Sequence, residues 1–145
     1  MSDGSSDSPS EPNEALLRYL TGVLADMNGI ARVSSFPSNK RESLVAALET
    51  SHYPENVEEV RLEIRADRSG DFHVSYFESY LGEQRRCRWD RHEQPHSTRD
   101  HFHPLPNAST TDAEDREYPT DLDRTLSEVV LPWVDRRLGD LWSEV

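Results

Sequence analysis

The chain has 145 residues, of which 34% are hydrophobic, and a formal net charge of −12, a balance that allows one domain with a modest core. No apolar run is long enough for a membrane span and no basic-then-apolar signal opens the chain, so we expect a cytoplasmic protein without a membrane partner. The single cysteine excludes an internal disulfide and a cysteine-based zinc site within one chain.

The acidic residues number 28, whereas Lys40 is the only lysine among the 16 basic residues. Carboxylates stay hydrated in concentrated salt, where the Debye length falls to about 3 Å at 1 M and self-repulsion is screened. This composition predicts a protein from a salt-accumulating halophile, most simply an archaeon. In such a solvent the negative net charge does not exclude a nucleic acid partner, because short-range contacts decide binding.

Residues 1–11 are small, polar and acidic, which predicts a disordered tail ahead of a single domain at 12–145. A first helix is expected after Pro12, with Asn13 as its N-cap and Asn28-Gly29 as its end. Its apolar residues recur at helical spacing, as expected for a packing helix: Leu16, Leu17, Leu20, Val23, Leu24 and Met27.

A second helix is predicted from Ser38, as N-cap, to Thr50, because a short apolar stripe lies between them. The apolar period then changes to two, which predicts three β-strands at 60–66, 72–80 and 84–90. Tight turns between them give an antiparallel meander of three to four strands. We expect the helices to pack on one face of this sheet and solvent to reach the other.

Residues 104–119 are rich in turn-forming and acidic residues and are predicted to form an acidic loop. A C-terminal helix follows, and Pro132 is expected to kink it or divide it in two. Its apolar residues trace one face: Leu122, Leu126, Val129, Val130, Trp133, Val134, Leu138, Leu141 and Trp142. The predicted fold class is therefore α+β, with the meander sheet between N-terminal and C-terminal helices.

Residues 85–103, which we name the Arg/His segment, hold four of the six histidines and five of the fifteen arginines. Five arginines against three acidic residues give the segment a local charge of +2 with histidine neutral. Strand alternation turns Cys87 and Trp89 inward and places Arg86, Arg88 and Asp90 on the polar face. Two arginines on one face can hold a phosphate or a carboxylate, or they can simply be solvated.

Three interpretations of the histidines in this segment remain open. They can bind zinc or nickel, they can exchange protons in catalysis, or they can pin an irregular loop to the sheet. Cleavage of RNA through its own 2′-hydroxyl needs only imidazoles and arginines and no metal. The four histidines concerned are His92, His96, His101 and His103.

The run R-C-R-W-D-R-H at residues 86–92, followed by His96 and by H-F-H at 101–103, resembles the TumE-like toxin family of toxin–antitoxin proteins. The order of elements, a helix, a meander, this motif and a C-terminal helix, is similar as well, over about residues 40–131. The resemblance implies a ribonuclease-like toxin that is held inactive by a small DNA-binding antitoxin.

Carried over residue by residue, the resemblance implies a site at Arg88, Asp90, His92, His101 and His103. Our leading hypothesis is a ribonuclease in which His92 and either His101 or His103 form the acid–base pair and Asp90 orients an imidazole. The substrate would be bound by Arg86, Arg88 and Arg91. The alternative is a non-catalytic module that binds a protein partner, or a divalent metal through His92, His96, His101 and His103.

Overall fold

A computed structural model describes residues 11–37, 41–92 and 99–145. Within these ranges seven strands form one antiparallel sheet in sequence order, between an N-terminal and a C-terminal helix. The α+β class is confirmed, whereas the prediction of three to four strands is wrong. The elements are α1 Glu14–Ala25, β1 Ile30–Phe36, β2 Ser43–Leu48, β3 Val57–Ala66, β4 Phe72–Tyr80, β5 Glu83–Arg91, β6 Asp100–His103, β7 Glu114–Arg116, α2 Leu122–Thr125, a π-helical turn Leu126–Val130, and α3 Leu131–Ser143, with a 3-10 turn at Thr50–His52.

The first helix follows its sequence signals. The Leu16 amide donates to the Asn13 side-chain oxygen at 3.1 Å, which confirms the predicted N-cap. The helix buries Leu17, Leu20 and Leu24 against the sheet. The acidic tail predicted at 1–11 lies outside the described residues except for its last position.

The predicted second helix is wrong, because β2 occupies its centre, Ser43–Leu48. Leu44, Ala46 and Leu48 are buried in alternation along β2, and β2 pairs with both β1 and β3. Leucines four residues apart fit a strand as well as a helix, so tertiary pairing decided between the two periods. The predicted cap at Ser38 lies outside the described residues.

The predicted meander is confirmed as β3, β4 and β5, although β3 begins three residues earlier than predicted. Leu81 and Gly82 both have positive φ, +53° and +82°, as a two-residue hairpin turn of type I′ requires. This tight turn sets the register of β4 and β5, so that His73 pairs with Asp90 and Val74 with Trp89.

Strands β6 and β7 extend the sheet past the meander. β6 pairs with the end of β5, so that His103 lies opposite Arg88 and His101 opposite Asp90. β7 lies within the segment predicted as the acidic loop 104–119 and pairs with β6. The two strands are short and polar, so neither shows the apolar alternation from which strands are predicted.

The C-terminal helical segment is contiguous from α2 through α3, so Pro132 does not divide it in two. The π-helical turn stands directly before this proline. Because Pro132 has no N–H to offer, a wider turn at this point keeps the helix running without a normal α-helical bond. Among the described helices, none combines the length and the apolar character needed to cross a membrane.

Both helices pack on the same face of the sheet, as predicted, and the side chains of one core cluster join them there. Cys87 and Trp89 point into this core with 0% and 2% exposure, which confirms the predicted alternation of β5. The Trp89 ring meets the Trp133 ring of α3 edge to face, at 5.3 Å between centroids. Burial raises the pKa of the Cys87 thiol, so this cysteine is a packing residue.

A buried carboxylate, Glu78, ties α3 to the sheet. Arg137 of α3 contacts it at 2.6 Å and Arg85 of β5 at 2.7 Å, while the Tyr76 hydroxyl donates to it at 2.5 Å. Burial alone would raise the pKa of Glu78, but the hydrogen bonds from Arg137 and Tyr76 outweigh it and hold the pKa below its usual range. Glu78 is therefore ionised in the folded protein.

Glu78→Gln should lower the free energy of unfolding at neutral pH by about 3 kcal/mol or more, because it leaves buried guanidinium groups without their carboxylate. A depressed folded pKa contributes stability above the unfolded value of about 4.3, and this contribution is lost as the pH falls through the folded pKa. The difference in the free energy of unfolding between wild type and variant should therefore become smaller on acidification. Urea unfolding between pH 7 and pH 3 measures it.

Glu128→Gln is the matched control, since Glu128 is exposed and pairs only with Arg124 one helical turn away. Its stability should follow that of the wild type across the pH range. If the free energy of unfolding of Glu78→Gln differs from that of the wild type by the same amount at every pH, the assigned role of the ionised carboxylate is contradicted.

Candidate functional site

The face of the sheet opposite the helices, which we name the open face, carries polar side chains in three rows across strands β3 to β6. Neighbouring rows are two residues apart along each strand, or about 6.6 Å. The cross-strand register gives a first row of Arg61, Phe77 and Arg86, a second of Glu63, Ser75, Arg88 and His103, and a third of Arg65, His73, Asp90 and His101.

Asp90 is the centre of the open face, and its side chain is only 1% exposed. It contacts His73 Nδ1 at 2.8 Å and His103 Nε2 at 2.9 Å, and both its oxygens accept from Arg88 Nε at 2.8 and 2.9 Å. His92 Nε2 lies 4.0 Å from the same carboxylate. We name these five residues the Asp90 cluster.

The environment keeps Asp90 ionised. Burial alone would raise its pKa, but the hydrogen bond and charge of His73, together with Arg88, outweigh burial and hold the pKa below the usual range. A buried anion is stable only when donors surround it, so Asp90 fixes the positions of the side chains that contact it.

Two imidazoles of the cluster remain open to solvent. The His73 side chain is 36% exposed and that of His92 is 38% exposed, and their ring centroids lie 4.9 Å apart. His73 uses Nδ1 for Asp90, which leaves Nε2 available for a ligand. A carboxylate that holds one ring nitrogen orients the other nitrogen for proton transfer.

His103 and His101 differ from these two. His103 is only 8% exposed, and its ring nitrogens face Asp90 at 2.9 Å and the Ser109 carbonyl at 3.3 Å. His101 stands beside the cluster, with Nε2 at 3.6 Å from Asp115 Oδ1. His103 is therefore a buried partner that holds the Asp90 carboxylate, whereas His101 contacts Asp115 of the neighbouring strand β7.

The arginines of the segment lie in two places. Arg86 and Arg88 share the open face as predicted, and Arg88 joins the cluster through Nε. Arg91 points to the opposite face, where it is 5% exposed, pairs with Asp100 at 2.8 Å, and donates to carbonyls of the segment before α2. The structure therefore does not bring Arg91 to the site.

The Arg91–Asp100 pair instead anchors β6 and the entry to α2. The Tyr118 amide also donates to Asp100 at 2.8 Å. Although burial raises the pKa of Asp100, the bonds from Arg91 and from this amide hold it below its usual range.

His73 belongs to the site and was missing from the sequence prediction, while His96, which was included, lies outside the described residues. His73 stands twelve residues before the start of the Arg/His segment, so motif spacing does not point to it. The signal that could have found it is the turn at Leu81 and Gly82, because a two-residue turn places residue 73 opposite Asp90.

A divalent metal has one group of potential ligands among the described residues. The ligand atoms of His73, Asp90 and His92 all lie within 4.8 Å of one another. Two imidazoles and a carboxylate suit zinc and related ions. This group shares His92 with the predicted four-histidine set but includes neither His101 nor His103, and a bound ion would have to replace the bond between His73 and Asp90.

The fold and the Asp90 cluster define a small α+β protein with a polar site on one face of its sheet. Comparison with known families then identifies its family. The family model described as Toxin TumE matches residues 22–138, a range that contains the whole cluster. The chain belongs to the TumE toxin family. No curated protein and no solved structure matches it.

Arg91→Ala should lower the free energy of unfolding by about 3–5 kcal/mol, because it leaves Asp100 buried without its partner. Arg86→Ala is the control within the same strand, and it should change stability by no more than about 0.5 kcal/mol because Arg86 is exposed. Urea unfolding of the two variants measures this difference. Equal losses of stability would contradict the placement of the two arginines on opposite faces.

Proposed function

We propose that this chain is the toxin of a toxin–antitoxin pair and that it cleaves RNA without a metal ion, using the Asp90 cluster. The observation that carries the proposal is the convergence of two half-exposed imidazoles, His73 and His92, on one ionised carboxylate beside Arg88. Membership of a toxin family supports the biological role. The geometry supports the chemistry.

In the proposed reaction His73 takes the proton of the substrate 2′-hydroxyl, whose oxygen then attacks the neighbouring phosphorus. The bond from phosphorus to the 5′-oxygen breaks, and His92 donates a proton to this leaving oxygen. The products are a 2′,3′-cyclic phosphate and a free 5′-hydroxyl. His73 is assigned as the base because the Asp90 carboxylate stabilises the imidazolium that forms on it.

Arg88 would stabilise the charge that develops on the phosphoryl oxygens. Its Nε is held by Asp90, which orients the guanidinium. His103 contributes by holding Asp90. His73 therefore replaces His101 and His103 as the partner of His92 in this proposal, since the His103 nitrogens are both engaged.

The proposed partner is an antitoxin that holds the toxin inactive. A toxin that cleaves RNA of its own cell must be neutralised, and the product of a neighbouring gene is the natural source of that control. Co-purification of the chain with that product, when both are expressed together, would support the pair.

A second candidate function is binding of a divalent metal by His73, Asp90 and His92, which their spacing favours. It predicts stoichiometric zinc or nickel in protein purified without a histidine tag, and a lower thermal midpoint after chelation. The metal-independent ribonuclease predicts neither result.

His73→Ala and His92→Ala should each slow RNA cleavage at least about 100-fold, because each removes one proton-transfer group. Cleavage of a labelled single-stranded RNA is measured in concentrated KCl with EDTA, and circular dichroism checks that each variant folds. Replacing the scissile 2′-hydroxyl by hydrogen should abolish cleavage by the wild type.

His52→Ala is the matched control, since His52 is an exposed histidine in the turn between β2 and β3. Its cleavage rate should equal that of the wild type. Cleavage that survives in the His73→Ala, His92→Ala double variant would disprove the assignment, and cleavage that EDTA abolishes would favour a metal-dependent site.

A further inference from the structure

The Phe77 side chain lies on the open face among polar neighbours. Ser75 and Ser79 flank it on β4, and Arg61 and Arg86 lie beside it on the adjacent strands. The Arg61 guanidinium packs over the Phe77 ring, 4.3 Å from its centroid. The core lies on the other face of the sheet, so the hydrophobic core does not explain this phenylalanine.

Arg61 itself is held in place by acidic neighbours on its own strand. Its guanidinium contacts Glu59 at 2.8 Å and Glu63 at 2.9 Å. One guanidinium offsets only one of the two carboxylate charges, and the contacts fix a planar cation against the ring. Phe77 and Arg61 together form a pre-ordered planar surface, which we name the Phe77 platform.

The Phe77 platform is connected to the Asp90 cluster along the sheet. Phe77 lies four residues from His73 on β4, or about 13 Å along the strand. On β5, Arg86 stands opposite Phe77, Arg88 one row further and Asp90 one row beyond that. A line of guanidinium groups therefore runs from the platform to the two exposed imidazoles.

An aromatic surface next to a line of arginines has the features of a site for single-stranded nucleic acid. Unpaired bases stack on aromatic rings and guanidinium planes, while their phosphates contact arginine side chains. In a duplex the faces of the bases are covered by their neighbours, so a flat sheet face offers it no comparable contact. The spacing places the stacked base close to, but not at, the nucleotide that is cleaved.

We propose that the open face binds single-stranded RNA, with one unpaired base on the Phe77 platform and the adjoining phosphates on Arg86 and Arg88. This inference rests on the proposed function for the nature of the ligand and adds a binding site to it. The platform selects unpaired RNA, and the Asp90 cluster acts on a phosphate nearby.

The test measures binding separately from cleavage. The His92→Ala chain, which leaves the RNA intact, is titrated into a fluorescein-labelled single-stranded oligoribonucleotide in EDTA. Adding Phe77→Ala should weaken binding by about 5-fold to 150-fold, the usual effect of losing one stacked base. Phe77→Leu keeps apolar volume beneath Arg61 but lacks a ring, and it should show a similar loss.

Salt dependence distinguishes the two kinds of contact. Arg86→Ala should reduce the slope of log K against log salt by about 0.7, the effect of one lost phosphate contact on a single strand. Phe77→Leu should leave this slope unchanged. Tyr19→Ala, at an exposed aromatic of α1 on the opposite side of the sheet, is the control and should leave both affinity and slope unchanged.

The outcomes separate this proposal from the proposed function. Full binding by a folded Phe77→Leu chain, or equal losses for a duplex of the same sequence, would overturn the Phe77 platform while leaving the cleavage assignment intact. Binding that depends on Phe77, with no cleavage by the wild type, would support the platform and refute the ribonuclease.

Discussion

The burial of the Asp90 carboxylate is the constraint that organises this protein's site. An ionised carboxylate with a nearly inaccessible side chain is stable only if several donors surround it. The donors come from three adjacent strands: His73 on β4, Arg88 on β5 and His103 on β6. The hydrogen bonds that the Asp90 carboxylate requires thus determine where the imidazoles and the guanidinium lie, independently of which ligand binds there.

Strand β5 connects this site to the core, because its side chains alternate between the two faces of the sheet. Cys87, Trp89 and Arg91 point inward, and packing of Trp89 against Trp133 fixes the strand against α3. On the same inward face, the Arg91–Asp100 pair holds β6 in register, and β6 in turn presents His103 to Asp90. Damage to the core would therefore displace the site.

The halophilic setting stays a prediction from composition, and it bears on how an acidic chain can bind an anion. At high salt the field of a net charge of −12 is screened within a few ångströms, so an anionic ligand meets only the groups that it contacts. On the open face those groups include arginines and histidines, while Glu63 of the same face and the nearby Glu59 share a single partner, Arg61. A strongly acidic chain can thus carry the RNA-binding site that we propose.

Local periodicity determined the capped first helix, the three-strand meander, the inward position of Cys87 and Trp89, and the Arg/His segment, because each depends on neighbouring residues alone. Only the tertiary structure decided the rest. The spacing of Leu44 and Leu48 fits both a helix and a strand, and pairing of β2 with β1 and β3 decided for the strand. Strands β6 and β7 have too little apolar character to be predicted from the sequence. His73 lies in the Asp90 cluster and Arg91 lies outside it because of the cross-strand register and the partner that each side chain contacts. Such partners lie far apart in the chain, and residue spacing does not encode them.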